Sequence, residues 1–105
     1  MTESIMETPA AEAPQFYLDR VLGRRPGLVA VAARTYAEVR EGDRFRRTTP
    51  DGREVELVLL EIHKYRGVRL PQLEAGHGCG LVLSGPDADQ LPFTDREVVT
   101  GERPA

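Results

Sequence analysis

Turn signals recur about every ten residues along this chain, and the segments between them are short and rich in Val, Leu and Ala. The pairs Pro26-Gly27, Gly42-Asp43 and Asp51-Gly52 each separate two such segments. Proline presets one turn angle and glycine accepts a positive φ, while Asp-Gly is a strong hairpin signal. Because no segment shows a convincing helical period, the spacing predicts about six or seven short strands in a small β-barrel or sandwich.

The predicted strands cover residues 15–23, 28–37, 44–47, 54–63, 79–85 and 96–101. The alanines of residues 28–37 would also suit a helix, which is the alternative for that segment. In residues 54–63, Val55, Leu57 and Leu59 share one face, whereas Leu60 and Ile62 fall on the other. A one-sided sheet cannot bury both sets, so the pattern predicts either a β-bulge near Leu59–Leu60 or burial on both sides.

The length of 105 residues fits one domain over residues 15–101. Residues 1–14 are acidic and rich in Ala and Pro, which predicts a disordered tail, and residues 102–105 are assigned to a second tail. A net charge of −3 argues against a broad basic face for duplex DNA, although a local basic patch stays possible. With one cysteine, no signal peptide and no long apolar run, a cytoplasmic protein without membrane contact is expected.

Metal or thiol chemistry would have to use His63, His77 and Cys79. A zinc site usually needs four ligands in paired Cys or His motifs, and this set falls short. A nucleophilic cysteine needs a neighbouring base and a lowered pKa, whereas Cys79 precedes an apolar run that predicts a buried strand. The glycines beside it precede a strand rather than a helix, so they do not form a phosphate loop. We therefore expect no metal, no cofactor and no catalytic residue.

Two phrases, residues 40–43 (REGD) and 73–85 (LEAGHGCGLVLSG), resemble the second domain of elongation factor Tu and its translational GTPase relatives. The resemblance also includes residues 61–67 (EIHKYRG) and 95–101 (DREVVTG), and it covers residues 15–101. It implies an all-β fold, a small closed Greek-key β-barrel of about six strands, in which the glycines are structural. The matched motif positions are Asp19, Gly27, Val29, Val39, Gly42, Asp43, Ala75, Gly76, Gly80, Leu81, Leu83 and Gly85.

In that family the barrel helps to hold the aminoacylated, single-stranded 3′ end of tRNA, with the terminal adenosine in an apolar pocket edged by a Glu. Tyr65 and Arg66 match the aromatic-Arg pair that contacts the acceptor end, and stacking plus a guanidinium suits unpaired RNA. The family's Glu, Asn and Arg are replaced here by His63, Gly78 and Pro26. The candidate RNA-binding residues are Val29, His63, Lys64, Tyr65, Arg66, Arg69 and Val82.

The leading hypothesis is a stand-alone, non-enzymatic barrel that binds RNA (the tRNA acceptor end or the ribosome) or a translation factor. A GTPase domain is absent from the chain, so no GTPase activity is expected. The alternative is a protein-interaction module, either an adaptor or a homo-oligomer, that kept the barrel and lost the RNA pocket. The acidic net charge and the three replaced residues favour that alternative. The oligomeric state stays open.

Overall fold

Nine β-strands and one short 3-10 helix make up the regular structure of the computed structural model, which describes residues 13–65, 67–94 and 96–104, with Tyr65 described by its backbone alone. Within these residues no helix is long and apolar enough to cross a membrane. The helix alternative for residues 28–37 is wrong, because residues 28–35 form a strand. The elements are β1 Gln15–Arg25, β2 Leu28–Thr35, β3 Val39–Arg40, β4 Arg44–Thr48, β5 Glu54–Tyr65, β6 Val68–Leu70, β7 Gln72–Leu73, β8 Gly78–Ser84, the 3-10 helix Ala88–Gln90, and β9 Glu97–Thr100.

Six strands form a continuous antiparallel sheet in the order β4-β5-β8-β2-β1-β9. An isolated bridge between Arg44 and Glu102 joins the β4 side to the chain that follows β9, so the sheet curls into a nearly closed barrel. The strand β6 adds to β5, and β3 pairs with β7 in a separate two-stranded sheet. The predicted all-β class and small six-stranded barrel are confirmed.

The barrel interior is filled by the inward side chains of all the long strands. Strand β2 shows the alternation most clearly, since Val29, Val31 and Ala33 are buried while the residues between them are half-buried. Two phenylalanines, Phe16 and Phe45, meet edge to face with ring centroids 5.1 Å apart, an arrangement that suits the ring quadrupoles. The core comprises Phe16, Leu18, Val29, Val31, Ala33, Val39, Phe45, Val55, Leu57, Leu59, Ile62, Leu73, Leu81, Leu83, Ala88, Leu91 and Val99.

A bulge in β5 resolves the conflict between the two apolar faces of that strand. The pairing of β5 with β8 shifts register between Leu59 and Glu61, so Leu60 is the extra residue. Leu59 and Ile62 are 1% and 0% exposed, whereas Leu60 is 41% exposed. The predicted bulge is confirmed, and the alternative of burial on both faces is not needed.

The glycine motif at the entry to β8 is structural. Gly76 has a φ of +91° and its N–H donates to the carbonyl of Thr35 at 2.7 Å, which makes the turn into the strand. At the end of β8, a Cβ on Gly85 would lie 2.6 Å from the carbonyl oxygen of Glu56. Only glycine allows that approach between the two strands.

Parts of both predicted tails contact the barrel. Residues 1–12 lie outside the described residues, but Pro14 is buried and its carbonyl accepts the N–H of Gly101 at 2.9 Å. At the other end, Glu102 forms the bridge to Arg44, and Arg103 binds the buried carboxylate of Asp43 at 3.0 Å. Residues 102 and 103 are therefore part of the barrel, because their partners lie about sixty residues away in the chain, where local sequence signals do not reach.

Candidate functional site

A shallow groove runs along the outer surface of β2 and β8. The two strands pair Ala30 with Val82 and Ala32 with Gly80, while the residues on either side of them point into the core. Cross-strand partners share a face of the sheet, so these small side chains lie together on the outside. Their size keeps the surface low between the neighbouring strands. The groove floor consists of Leu28, Ala30, Ala32, Gly78, Gly80 and Val82.

Strands β1 and β5 supply the two walls of this outer groove. On β1, Arg20 lies opposite Ala32 and Arg25 lies opposite Leu28. On β5, the bulge at Leu60 shifts the strand so that Glu61 lies opposite Val82 and His63 opposite Gly80. A strand rises about 3.3 Å per residue, so the six steps from Leu28 to Arg34 give the groove a length of about 20 Å. The groove therefore has a basic wall along β1 and a wall of Glu and His along β5.

The first cleft occupies the Leu28 end of the groove and has a volume of about 400 Å³. Its floor is apolar, and Arg24, Arg25 and Glu61 are among its lining residues. Arg24 is held in place because its Nη1 donates to the carbonyl oxygens of residues 89 and 91, at 3.0 and 2.9 Å. The lining residues are Gly23, Arg24, Arg25, Leu28, Ala30, Glu61 and Val82.

The second cleft begins two residues further along β2 and has a volume of about 390 Å³. Beside it the rings of Tyr17 and Tyr36 stack, with centroids 5.8 Å apart and an interplanar angle of 26°. Tyr36 is 49% exposed, so this ring pair lies at the surface rather than in the core. The lining residues are Tyr17, Asp19, Ala32, Ala33, Arg34, Gly78 and Cys79.

The arginines of the described chain divide into two groups. Those with a carboxylate partner lie on β3, β4, β6, the loop before β5 and the end of the chain: Arg40, Arg44, Arg46, Arg47, Arg53, Arg69 and Arg103. Among the described residues, those without one are Arg20, Arg24, Arg25, Arg34 and Arg96. Four of these five lie on β1 or β2, beside the groove. Within the part of the chain that the structure describes, arginines without a carboxylate partner are thus concentrated on β1 and β2 of an acidic protein.

The wall formed by β5 carries a paired carboxylate and imidazole. Glu61 Oε1 lies 2.8 Å from His63 Nε2, and its other oxygen is 3.8 Å from Arg69 Nη1. The hydrogen bond from His63, and then the cation of Arg69, hold the pKa of Glu61 below its usual value. Glu61 therefore stays ionised near neutral pH and offers hydrogen-bond acceptors at the rim of the first cleft.

Only some of the candidate RNA-binding residues lie at the outer groove. Val82 lines the first cleft, but Val29 is fully buried in the core and does not contribute to it. His63 lies on the β5 wall, and Lys64 is half-buried next to it. Arg69 is on β6 and binds Glu41 at 2.9 Å, so its charge is already paired. The side chain of Tyr65 and the whole of Arg66 lie outside the described residues.

Several residues of the groove were not among the sequence candidates. Leu28 and Ala30 face the first cleft because they flank Val29 in a strand, where neighbouring side chains point to opposite sides. Arg24 and Arg25 at the end of β1 and Glu61 on β5 line the same cleft, although they are about 35 residues apart in the chain. The alternation of β2 alone would have indicated Leu28 and Ala30. The meeting of β1 with β5 across the groove depends on the pairing of distant strands.

Cys79 is in an environment that suppresses thiol reactivity. It is half-buried against the core, and burial raises the pKa of its thiol to about 11, the opposite of what an activated nucleophile requires. The backbone N–H of His77 donates to the hydroxyl of Thr35 at 3.0 Å, which fixes the turn before β8. Within the described residues, no cluster of three or more His, Cys, Asp and Glu is arranged to hold a metal ion.

A third cleft of about 250 Å³ lies near the loop between β4 and β5. Its charged groups satisfy one another, since Arg53 binds Asp51 at 3.1 Å and Asp87 at 3.0 Å. The hydrogen bond from Thr49, followed by that from Arg53, lowers the pKa of Asp51. Because this cleft presents paired charges and little apolar floor, the outer groove is the better candidate for a ligand.

No protein-family model, no curated protein and no solved structure matches this chain. The resemblance to the second domain of elongation factor Tu thus rests on the motif residues quoted above.

Proposed function

We propose that this chain is a non-enzymatic β-barrel that binds unpaired RNA, such as the acceptor end of a tRNA or a ribosomal segment, in the outer groove. The observation that carries the proposal is the group of arginines that have no carboxylate partner among the described residues and lie beside an apolar floor. Phosphates supply much of the affinity for nucleic acids, and these cations are available to meet them. The motif resemblance to a translation-factor barrel supports the same class of ligand.

The first cleft has the chemistry to receive one nucleoside. Its floor of Leu28, Ala30 and Val82 is apolar and suits the face of a base, while Arg25 at the rim suits a phosphate. The ionised carboxylate of Glu61 accepts hydrogen bonds, and the 2′-hydroxyl of ribose is a donor that DNA lacks. The family's pocket Glu is replaced here by His63. Glu61, two residues earlier in the chain, thereby supplies the pocket with a carboxylate.

The experiment is fluorescence anisotropy with a labelled single-stranded oligoribonucleotide ending in CCA, titrated at low salt. We expect Arg25→Gln to weaken binding several-fold and to reduce the slope of log affinity against log salt by about 0.7, the value for one phosphate contact on a single strand. Arg46→Gln is the matched control, because Arg46 pairs with Glu102 at 3.5 Å and lies outside both clefts. No binding at low salt, or equal losses in the two variants, would refute the proposal.

Protein docking is the second candidate function. Leu22 and Val98 are 54% and 49% exposed, and side chains of this kind supply apolar contacts to a partner. Val98 lies opposite Tyr17, so a protein contact there would include the tyrosine pair. A sedimentation-equilibrium series tests its homo-oligomeric form. A monomer at every concentration, combined with measurable RNA affinity, favours the first function.

A further inference from the structure

We propose that the Tyr17–Tyr36 ring pair stacks a second base of the bound strand, so that the outer groove takes more than one nucleotide. This inference rests on the proposed function and extends it from the first cleft to the second. The ligand class becomes an unpaired oligoribonucleotide rather than a mononucleotide.

The position of the tyrosine pair is the first argument. The chain has three tyrosines and three phenylalanines, and Phe16 and Phe45 are fully buried. Tyr17 and Tyr36 instead stack on one another at the surface, where Tyr36 is 49% exposed. Large aromatic side chains usually contribute to stability by burial, so an exposed, preformed stack suits a ligand with a flat face.

The two clefts are neighbours on the outer face of β2. Ala30 lines the first cleft, and Ala32, two residues further on the same face of β2, lines the second. That step is about 6.6 Å along a strand. The intervening floor contains Gly80 opposite Ala32, so no large side chain separates the clefts.

Charge at the second cleft points to the same ligand. Arg34 lies opposite Tyr17, and its Nη1 donates to the carbonyl of Gly76 at 3.1 Å, which holds the cation beside the rings. Arg20 is on the wall between the clefts. Asp19, also in the second cleft, would repel a phosphate but accepts hydrogen bonds from the amino groups of a base. The arrangement thus places phosphates toward the arginines and a base toward Tyr17 and Tyr36.

The test compares two probes on the full chain: adenosine 5′-monophosphate, followed by NMR, and a labelled CCA trinucleotide, followed by anisotropy. Tyr36→Leu removes the ring at an exposed turn position, and Tyr36→Phe is the matched control that keeps it. We expect Tyr36→Leu to weaken trinucleotide binding about five- to tenfold and to leave the mononucleotide affinity unchanged. Tyr36→Phe should bind both probes as the wild type does.

The outcomes separate this inference from the proposed function. If the wild type binds both probes and Tyr36→Leu binds the trinucleotide equally well, the stacking platform is refuted while the first cleft stands. If the wild type binds neither probe at low salt, both proposals fail. Circular dichroism and thermal unfolding of each variant establish that a loss of binding is not a loss of fold.

Discussion

Arg103 forms a bidentate ion pair with Asp43, in which Nε is 3.0 Å from Oδ1 and Nη2 is 3.1 Å from Oδ2. Asp43 is 1% exposed, and its Oδ2 also accepts the N–H of Arg40 at 2.7 Å. The last residues of the described chain thereby hold the Gly42–Asp43 turn closed. We expect Arg103→Met to lower the free energy of unfolding by about 2–3 kcal/mol, because it leaves a buried carboxylate without its cation.

Urea unfolding measures that loss, and Arg46→Met is its control. The side chains of Arg46 and Glu102 are 56% and 66% exposed, and exposed pairs contribute little. The control should change the free energy of unfolding by less than about 0.5 kcal/mol. Equal effects of the two substitutions would mean that Asp43 does not depend on Arg103.

Replacement of Gly85 by a residue with a Cβ should destabilise the barrel. An added Cβ would meet the carbonyl oxygen of Glu56 at 2.6 Å and the side chain of Leu57 at 2.9 Å. Gly85→Ala should therefore lower the free energy of unfolding by about 1–3 kcal/mol through overpacking. For Gly78, by contrast, an added Cβ meets nothing within 4 Å. Gly78→Ala should be neutral or slightly stabilising, and thermal melts of the two variants compare them directly.

The β5 bulge makes two adjacent leucines unequal. Leu59 is 1% exposed in the core and Leu60 is 41% exposed on the outside. Leu59→Ala should lower the free energy of unfolding by about 2–4 kcal/mol, whereas Leu60→Ala should lower it by less than about 1 kcal/mol. Chemical denaturation of both variants is the measurement. Similar losses would show that Leu60 is also buried and that the strand has no bulge there.

The all-β class could be predicted from local signals, because turn residues and alternating apolar residues indicate short strands in a barrel or sandwich. Turn residues such as Asp51-Gly52 mark the ends of strands, and the parity conflict between Leu59 and Leu60 indicates either a bulge or burial on both faces, of which the structure shows the bulge. Closure could not be predicted in the same way. The Arg44–Glu102 bridge and the Arg103–Asp43 pair join residues whose contact depends on the completed fold.

The groove was harder to predict than the fold for two physical reasons. Neighbouring residues of a strand point to opposite faces of the sheet, so an error of one residue exchanges the core side for the outside. The motif match fell on Val29, which faces the core, whereas its neighbours Leu28 and Ala30 face outward. The pairing state of each arginine depends on which distant carboxylate the fold brings near it. Arg69 is paired with Glu41, whereas Arg25 has no carboxylate partner among the described residues.

A carboxylate introduced on the groove floor should reduce the affinity for RNA that the arginines of the β1 wall provide. Ala30 is half-buried between the two strand partners Gly23 and Val82. We expect Ala30→Glu to weaken RNA binding at least about tenfold at low salt, because a negative charge beside bound phosphates is repulsive. Ala30→Gln adds the same bulk without the charge and is the control. If both variants lose affinity equally, the groove is blocked by size, and charge is not the cause.

Alkylation of Cys79 should be slow at neutral pH and should accelerate as the pH rises. The thiolate is the reactive form, and burial raises the pKa of this thiol from an ordinary value of 9.0 to about 11. Below pH 9 the folded protein should therefore react on the order of a hundredfold more slowly than the urea-unfolded chain, with a tenfold rise per pH unit. Iodoacetamide labelling followed by mass spectrometry gives both rates. A folded-state rate equal to that of the unfolded chain at pH 8 would show that the thiol is exposed, and it would reopen Cys79 as a reactive group.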